Sequence, residues 1–139
     1  MQSSYRGPVS CVLDTNIVID FLRGRAYAHD LLAAWAEKGA LAISTLTHVE
    51  LYHGLKSGEQ EVTDVFLDGL LSVPVDVAIA RRAGKMLRDL RSRGVTFGIA
   101  DAVIAATALQ TSAPLLTNNE EHYPFPALRV VPGIERQKG

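Results

Sequence analysis

Asp14, Glu50 and Asp101 are the side chains whose type and setting could do chemistry together. Each acid stands at the end of an apolar run or near the start of a helical one. Carboxylates gathered in one place repel each other until a cation neutralises them. Hard oxygen donors of this kind select Mg²⁺ or Mn²⁺ over zinc. A divalent ion held there lowers the pKa of a bound water and stabilises charge on a phosphoryl oxygen. Hydrolysis of a phosphate ester is the chemistry such a cluster could support.

Each acid also has a structural reading. Asp14 follows Val12-Leu13, and Asp14-Thr15-Asn16 offers three candidates for capping the next helix. Thr47-His48-Val49-Glu50 fits the capping box, in which the glutamate reaches back to the cap amide. Asp101 could serve the dipole of its helix from the first turn. It is the hardest of the three to explain in this way. The stretch Gly98-Ile99-Ala100-Asp101-Ala102-Val103-Ile104-Ala105-Ala106 is almost wholly apolar, and such a helix is expected to be buried. An ionised carboxylate inside it is costly unless paired or metal-bound.

The elements that must position these acids can be read from periodicity. Short runs rich in β-branched residues predict strands over 9–13, 41–43, 72–75, 114–116 and 129–131. Between them, helical patterns cover 16–22, 26–38, 47–55, 59–71, 77–93 and 99–109, with Gly39 suiting a C-cap and Gly94 ending the fifth. The alternation predicts an α/β protein, a parallel sheet with helices on both faces. Ligands of such sheets bind at the carboxyl ends of the strands, where Asp14 stands.

With 139 residues, 47% of them hydrophobic and 21% charged, the chain is expected to form one domain with a substantial core, and no linker interrupts it. The core is expected over about 9–131, with a polar tail at 132–139. A net charge of −1 gives no bulk signal of nucleic-acid binding. Local patches must carry any such binding. Arg81, Lys85 and Arg88 recur along the outer face of the 77–93 helix, where a phosphate-binding stripe competes with a merely solvated face. No aromatic residue is interleaved there to stack bases. Cys11 is the only cysteine, which excludes an internal disulfide and a thiolate zinc site within one chain. The four histidines lack metal-ligand spacing; His48 and His53, five apart, point to different helix faces. The polar start at 1–8 and the lack of a long apolar run indicate no signal peptide or membrane span, making the cytoplasm the default compartment.

Taken in order, Val12-Leu13-Asp14-Thr15-Asn16, Ile43-Ser44 through Thr47 to Glu50-Leu51, the 98–108 stretch around Asp101, and Leu116-Thr117-Asn118-Asn119 with Tyr123-Pro124 resemble the PIN-domain nucleases. Within them, the match is to the VapC-type toxins of bacterial toxin–antitoxin pairs. The resemblance implies a three-layer α/β/α sandwich and an acidic cluster around Mg²⁺ or Mn²⁺. It also implies hydrolysis of RNA by a metal-activated water, leaving a 5′-phosphate and a 3′-hydroxyl. Asp14, Glu50 and Asp101 carry over as catalytic acids and metal ligands. Asn16, Ser44 and Thr117 carry over as supporting polar neighbours. Homodimers and an inhibitory antitoxin, whose tail enters the acidic groove, are implied as partners.

The chain departs from the pattern at one place. Asn119 stands where many members carry a fourth acid; its amide oxygen can coordinate a metal but adds no charge, so one ion or two remains open. Glu120 and Glu121 lie close enough in sequence to substitute. Asn119 also keeps a second reading alive, a PIN-like binding or regulatory module without catalysis. A phosphatase with Asp14 as nucleophile fits less well, because Asn16 occupies the place of its second acid.

Overall fold

The computed structural model describes residues 8–134. The polar segment before Pro8 and the last five residues of the expected tail lie outside that range. Five strands, β1 (Val9–Leu13), β2 (Ala40–Ser44), β3 (Leu71–Val73), β4 (Leu115–Thr117) and β5 (Val130–Pro132), form one sheet in the order β3-β2-β1-β4-β5, with every pairing parallel. The helices are α1 (Thr15–Leu22), α2 (Ala26–Ala36), α3 (Thr45–His53), α4 (Gln60–Asp68), α5 (Val77–Ser92) and α6 (Ile99–Thr111), with a 3₁₀ turn at Glu120–His122.

Side-chain alternation along the strands divides the core into two faces. Cys11 and Leu13 of β1, Ile43 of β2 and Leu116 of β4 pack with Ile17, Val18, Leu32, Leu51 and Leu67 from α1–α4. Val12, Ala42 and Leu115 point the other way, onto Ile104, Ala105 and Ala108 of α6. Beyond α6, Ile79 and Ala83 of α5 close over Ala102, Val103 and Ala106. Helices on both sheet faces make the expected three-layer sandwich. Helix α6 is buried from Ala102 through Ala108, which is why its sequence could dispense with a polar face.

Several boundaries differ from the periodicity reading. Helix α3 starts two residues earlier because the Ser44 hydroxyl caps it, accepting from the amide of Leu46 at 3.1 Å. The capping box at Thr47 and Glu50 is therefore absent, and Glu50 lies in the second turn. Helix α4 stops at Asp68, since Leu70 and Leu71 turn into the core and β3. Helix α2 ends at Ala36, with Glu37 rather than Gly39 as its cap.

Gly39 serves a different purpose. A Cβ there would lie 2.4 Å from the carbonyl oxygen of Pro8, the atom that accepts the amide of Ala40 at 2.9 Å. The backbone approach that starts the β1–β2 pairing leaves no room for a side chain. Gly39→Ala should lower stability by about 1–3 kcal/mol, the usual scale of overpacking, seen as an earlier urea midpoint. Gly84→Ala is the control: a Cβ there meets nothing within 4 Å, and the helix interior should gain roughly 0.5–1 kcal/mol.

Candidate active site

Parity along the central strands decides which polar groups meet. Asp14 follows β1 with the orientation of Val12, and Thr117 ends β4 with that of Leu115, so both face α6. The Asp14 amide donates to the carbonyl of Leu116 at 2.9 Å, and the Thr117 hydroxyl donates to Asp14 Oδ2 at 2.7 Å. The Thr15 amide donates to Oδ1 at 2.8 Å. Asp14 is thus both helix cap and part of a larger polar cluster at the carboxyl edge of the sheet.

Tyr123, just beyond the 3₁₀ turn, joins two of the acids. Its hydroxyl lies 2.8 Å from Asp14 Oδ2 and 3.4 Å from Asp101 Oδ1. Its single proton goes to Asp14, the shorter contact. Burial pushes the Tyr123 phenol far up from its usual pKa, and the two nearby carboxylates push it further. Asp14 is also raised, chiefly by burial, with the Asp101 charge adding to the rise. Hydrogen bonds from Thr117, Tyr123 and Thr15 pull the other way.

Asp101 is not the buried charge that its sequence neighbours suggest. Its side chain is 36% exposed, whereas Asp14 is only 5% exposed. The apolar stretch is enclosed from Ala102 onward, but Asp101 sits in the first turn of α6, which emerges at the sheet edge. Its Oδ2 accepts from His122 Nε2 at 2.8 Å. A carboxylate can only accept, so Nε2 carries a proton. Histidine spacing along the sequence gave no sign of this contact. The 3₁₀ turn carries His122 back across the top of α6, a contact that linear spacing cannot reveal.

Glu50 is held from another side. Thr15 Oγ1 donates to Glu50 Oε1 at 2.7 Å and lies 3.1 Å from Thr47 Oγ1. Thr15 spends its proton on Glu50 and therefore accepts from Thr47. One residue thereby ties two acids, its amide to Asp14 and its hydroxyl to Glu50. Neither Thr15 nor Thr47 was singled out from sequence for this purpose, although both lie within the matching motifs. Tyr123 also lies within a quoted match, where its bare residue type gave no reason to place it between acids.

The other candidates are dispersed. Ser44 uses its hydroxyl to cap α3. Asn16 Oδ1 accepts from the amide of Asn118 at 3.4 Å, anchoring the loop after β4 rather than an acid. Asn119 is exposed, and its amide donates to Thr117 Oγ1 at 3.1 Å. Arg81, Lys85 and Arg88 are exposed along α5. That helix has no aromatic residue, but the 95–99 loop brings Phe97 to a cavity that it shares with Arg88.

Among the described residues, no three His, Cys, Asp or Glu side chains stand close enough to form a metal cage by themselves. The donor chemistry still suits a hard cation. Two carboxylates meet at one phenol, and Mg²⁺ is ordinarily held by one or two carboxylates, with waters and substrate phosphate completing its shell. Burial of Asp14 beside a second acid is the electrostatic strain that a cation relieves.

Fold and site together define a class: parallel α/β/α proteins with carboxylates gathered at the carboxyl edge of the central strand. The PIN-domain family model matches residues 11–128, and the chain belongs to the PIN-domain family. Ribonuclease VapC19 of Mycobacterium tuberculosis is 37% identical over 120 residues, which cover 85% of this chain and 96% of that protein. Ribonuclease VapC10 of the same organism is 36% identical over 114 residues, covering 82% and 86%. VapBC2 from Rickettsia felis, solved bound to a DNA fragment of its promoter, superposes with a TM-score of 0.82 at 25% identity, covering 89% of this chain and 98% of that one. A toxin–antitoxin complex from Klebsiella pneumoniae gives 0.76 at 29% identity, covering 91% and 100%.

Proposed function

We propose that the chain is an endoribonuclease, the toxin of a type II toxin–antitoxin pair, hydrolysing RNA phosphodiester bonds with Mg²⁺ or Mn²⁺. The observation that carries this reading is the convergence of Asp14 and Asp101 on the Tyr123 hydroxyl, in a chain whose curated relatives are ribonucleases. Asp14, Asp101 and Glu50 would hold the metal, with the Asn119 amide oxygen as a further donor. The bound ion supplies an activated water and a Lewis acid for the phosphoryl oxygen.

The chain's own residues set the stage for that chemistry. Thr117 and Tyr123 fix Asp14 in one rotamer, and Thr15 fixes Glu50, so neither carboxylate must reorganise. His122 holds Asp101 while keeping a proton on Nε2. Asn16 and Ser44 support from behind, by anchoring the loop after β4 and starting α3. Arg81, Lys85 and Arg88 offer a positive face to the RNA backbone.

The antitoxin is expected in the acidic groove beside Glu50. A depression of about 180 Å³, lined by Ile19, Leu22, Leu51 and Leu55 with Arg23 and Lys56, borders that acid. Exposed Val49, Val62 and Val65 offer apolar surface for a homodimer. No helix among the described residues is long and apolar enough to cross a membrane, and we place the protein in the cytoplasm. A binding-only module predicts no catalysis at all. Purified protein should cut single-stranded RNA with Mn²⁺ or Mg²⁺, lose all cleavage with excess EDTA, and recover it when either ion is restored. Cleavage that persists in EDTA would sink the metal assignment, and none under any condition would favour the binding module.

A further inference from the structure

One cavity is not used by the acids described above. It encloses about 310 Å³ between α5 and the loop before α6, lined by Gly84, Leu87, Arg88 and Arg91 and by Val95, Thr96, Phe97 and Ile99. We propose that it is a nucleoside subsite for the RNA strand beside the scissile phosphate, with Arg88 and Arg91 taking the phosphate of that nucleotide. This inference rests on the ribonuclease reading and adds a place for the strand.

Five observations carry it. The cavity adjoins the acids: the Phe97 ring stacks on His122 with centroids 4.7 Å apart, and His122 bonds Asp101 at 2.8 Å. Its lining combines an aromatic ring and aliphatic side chains with two guanidinium groups, the pairing of flat apolar surface and positive charge that single-stranded RNA uses. Neither Arg88 nor Arg91 has an ion-pair partner among the described residues, so both charges are available to a phosphate. Ile99, at the rim, is 72% exposed although it is large and apolar.

The fifth observation is Gly84. It stands inside a sixteen-residue helix, where glycine is disfavoured, yet no neighbour demands it: a Cβ would meet nothing within 4 Å. What its missing side chain provides is room in the cavity. Charge complementarity favours RNA over an apolar peptide as occupant, because both polar long side chains at the wall are cationic.

The test uses purified Asp101→Asn protein, which holds RNA without cutting it, and a fluorescein-labelled single-stranded RNA oligonucleotide read by anisotropy. Adding Gly84→Leu, a substitution that a helix accepts, should weaken binding roughly tenfold or more, the scale of losing one stacked base. Adding Gly84→Ala should cost little, since one methyl leaves most of the space. Adding Arg88→Ala or Arg91→Ala should weaken binding and reduce the salt slope by about 0.7 each. Thermal melts confirm that each variant is folded. Unchanged affinity in folded Gly84→Leu protein overturns the subsite. So does an equal loss from Arg129→Ala, an exposed arginine at the amino end of β5, away from the acids, which would mean a diffuse loss of charge. If Gly84→Leu spares RNA binding and instead abolishes self-association in sedimentation, the cavity is an interface between copies and the proposal is wrong. If the parent protein neither binds nor cuts RNA, it is the ribonuclease reading that falls.

Discussion

Asp14→Asn and Asp101→Asn should each reduce metal-dependent RNA cleavage by roughly 10²–10³-fold, the scale set by removing one preorganised charge-stabilising group, with the fold intact. The asparagine amide matches each carboxylate in size, so packing at the carboxyl edge is kept while one negative charge is lost. The two losses should be far from additive, because both acids serve one ion. A double variant should therefore be scarcely worse than either single one. Single-turnover cleavage of a labelled RNA, with circular dichroism as the check on folding, measures this. Activity in either variant within a few-fold of the parent would remove that acid from the proposed centre. Glu50→Gln should cost less than either, since the new amide oxygen still accepts from Thr15 and the side chain already faces solvent.

Asp14→Asn should also make the metal-free protein more stable at neutral pH. Burial raises the pKa of Asp14 above its ordinary value. Between the ordinary carboxyl range and that raised value, the folded state binds more protons than the unfolded state. Stability therefore falls as pH rises through this window, and the deficit persists above it. The variant lacks the titrating group and escapes the deficit. Its amide suits the pocket: the oxygen can accept from the Thr15 amide, while the nitrogen donates to the Thr117 and Tyr123 hydroxyls, which can rotate to accept. The expected result is a melting temperature several degrees above the parent's at pH 7, since each kcal/mol moves it by roughly 2–8 °C. The gap should shrink as pH falls toward the ordinary carboxyl range. Added Mn²⁺ should raise the parent's melting temperature by mass action and leave the variant nearly unmoved. A variant that melts below the parent in metal-free buffer at pH 7 would contradict the electrostatic account. On the proposed reading, metal binding is the reason for keeping a destabilising charge there.

The architecture was legible because it depends on periodicity. Val12 and Leu13 point to opposite faces of β1, and the apolar stretch of α6 can only be a buried helix. Helix ends were less legible, since they depend on single hydrogen bonds. The Ser44 cap moved α3 by two residues and dissolved the capping box that Glu50 had suggested. The acids themselves were visible as residue types, but their burial was not. Asp101 looks buried beside its sequence neighbours and emerges at the helix end, while Asp14 looks like a surface cap and is the enclosed charge. Tyr123 and His122 were beyond reach for another reason: they meet the acids across 109 and 21 residues of sequence, through a turn that no periodicity marks.

The strand order carries a consequence for timing. Asp14 directly follows β1, which comes first of the sheet's strands in chain order, yet Thr117 and Tyr123, which hold it, lie more than 100 residues later. Strand β1 lies between β2 and β4, so its second edge stays unpaired until β4 arrives. During synthesis, a chain that has emerged only through α6 carries all three acids but cannot orient the first of them. On the proposed ribonuclease reading, such a chain leaves a ribosome surrounded by RNA. On that reading, contacts spanning more than a hundred residues act as a clock, withholding activity from the nascent chain until its final strands have docked.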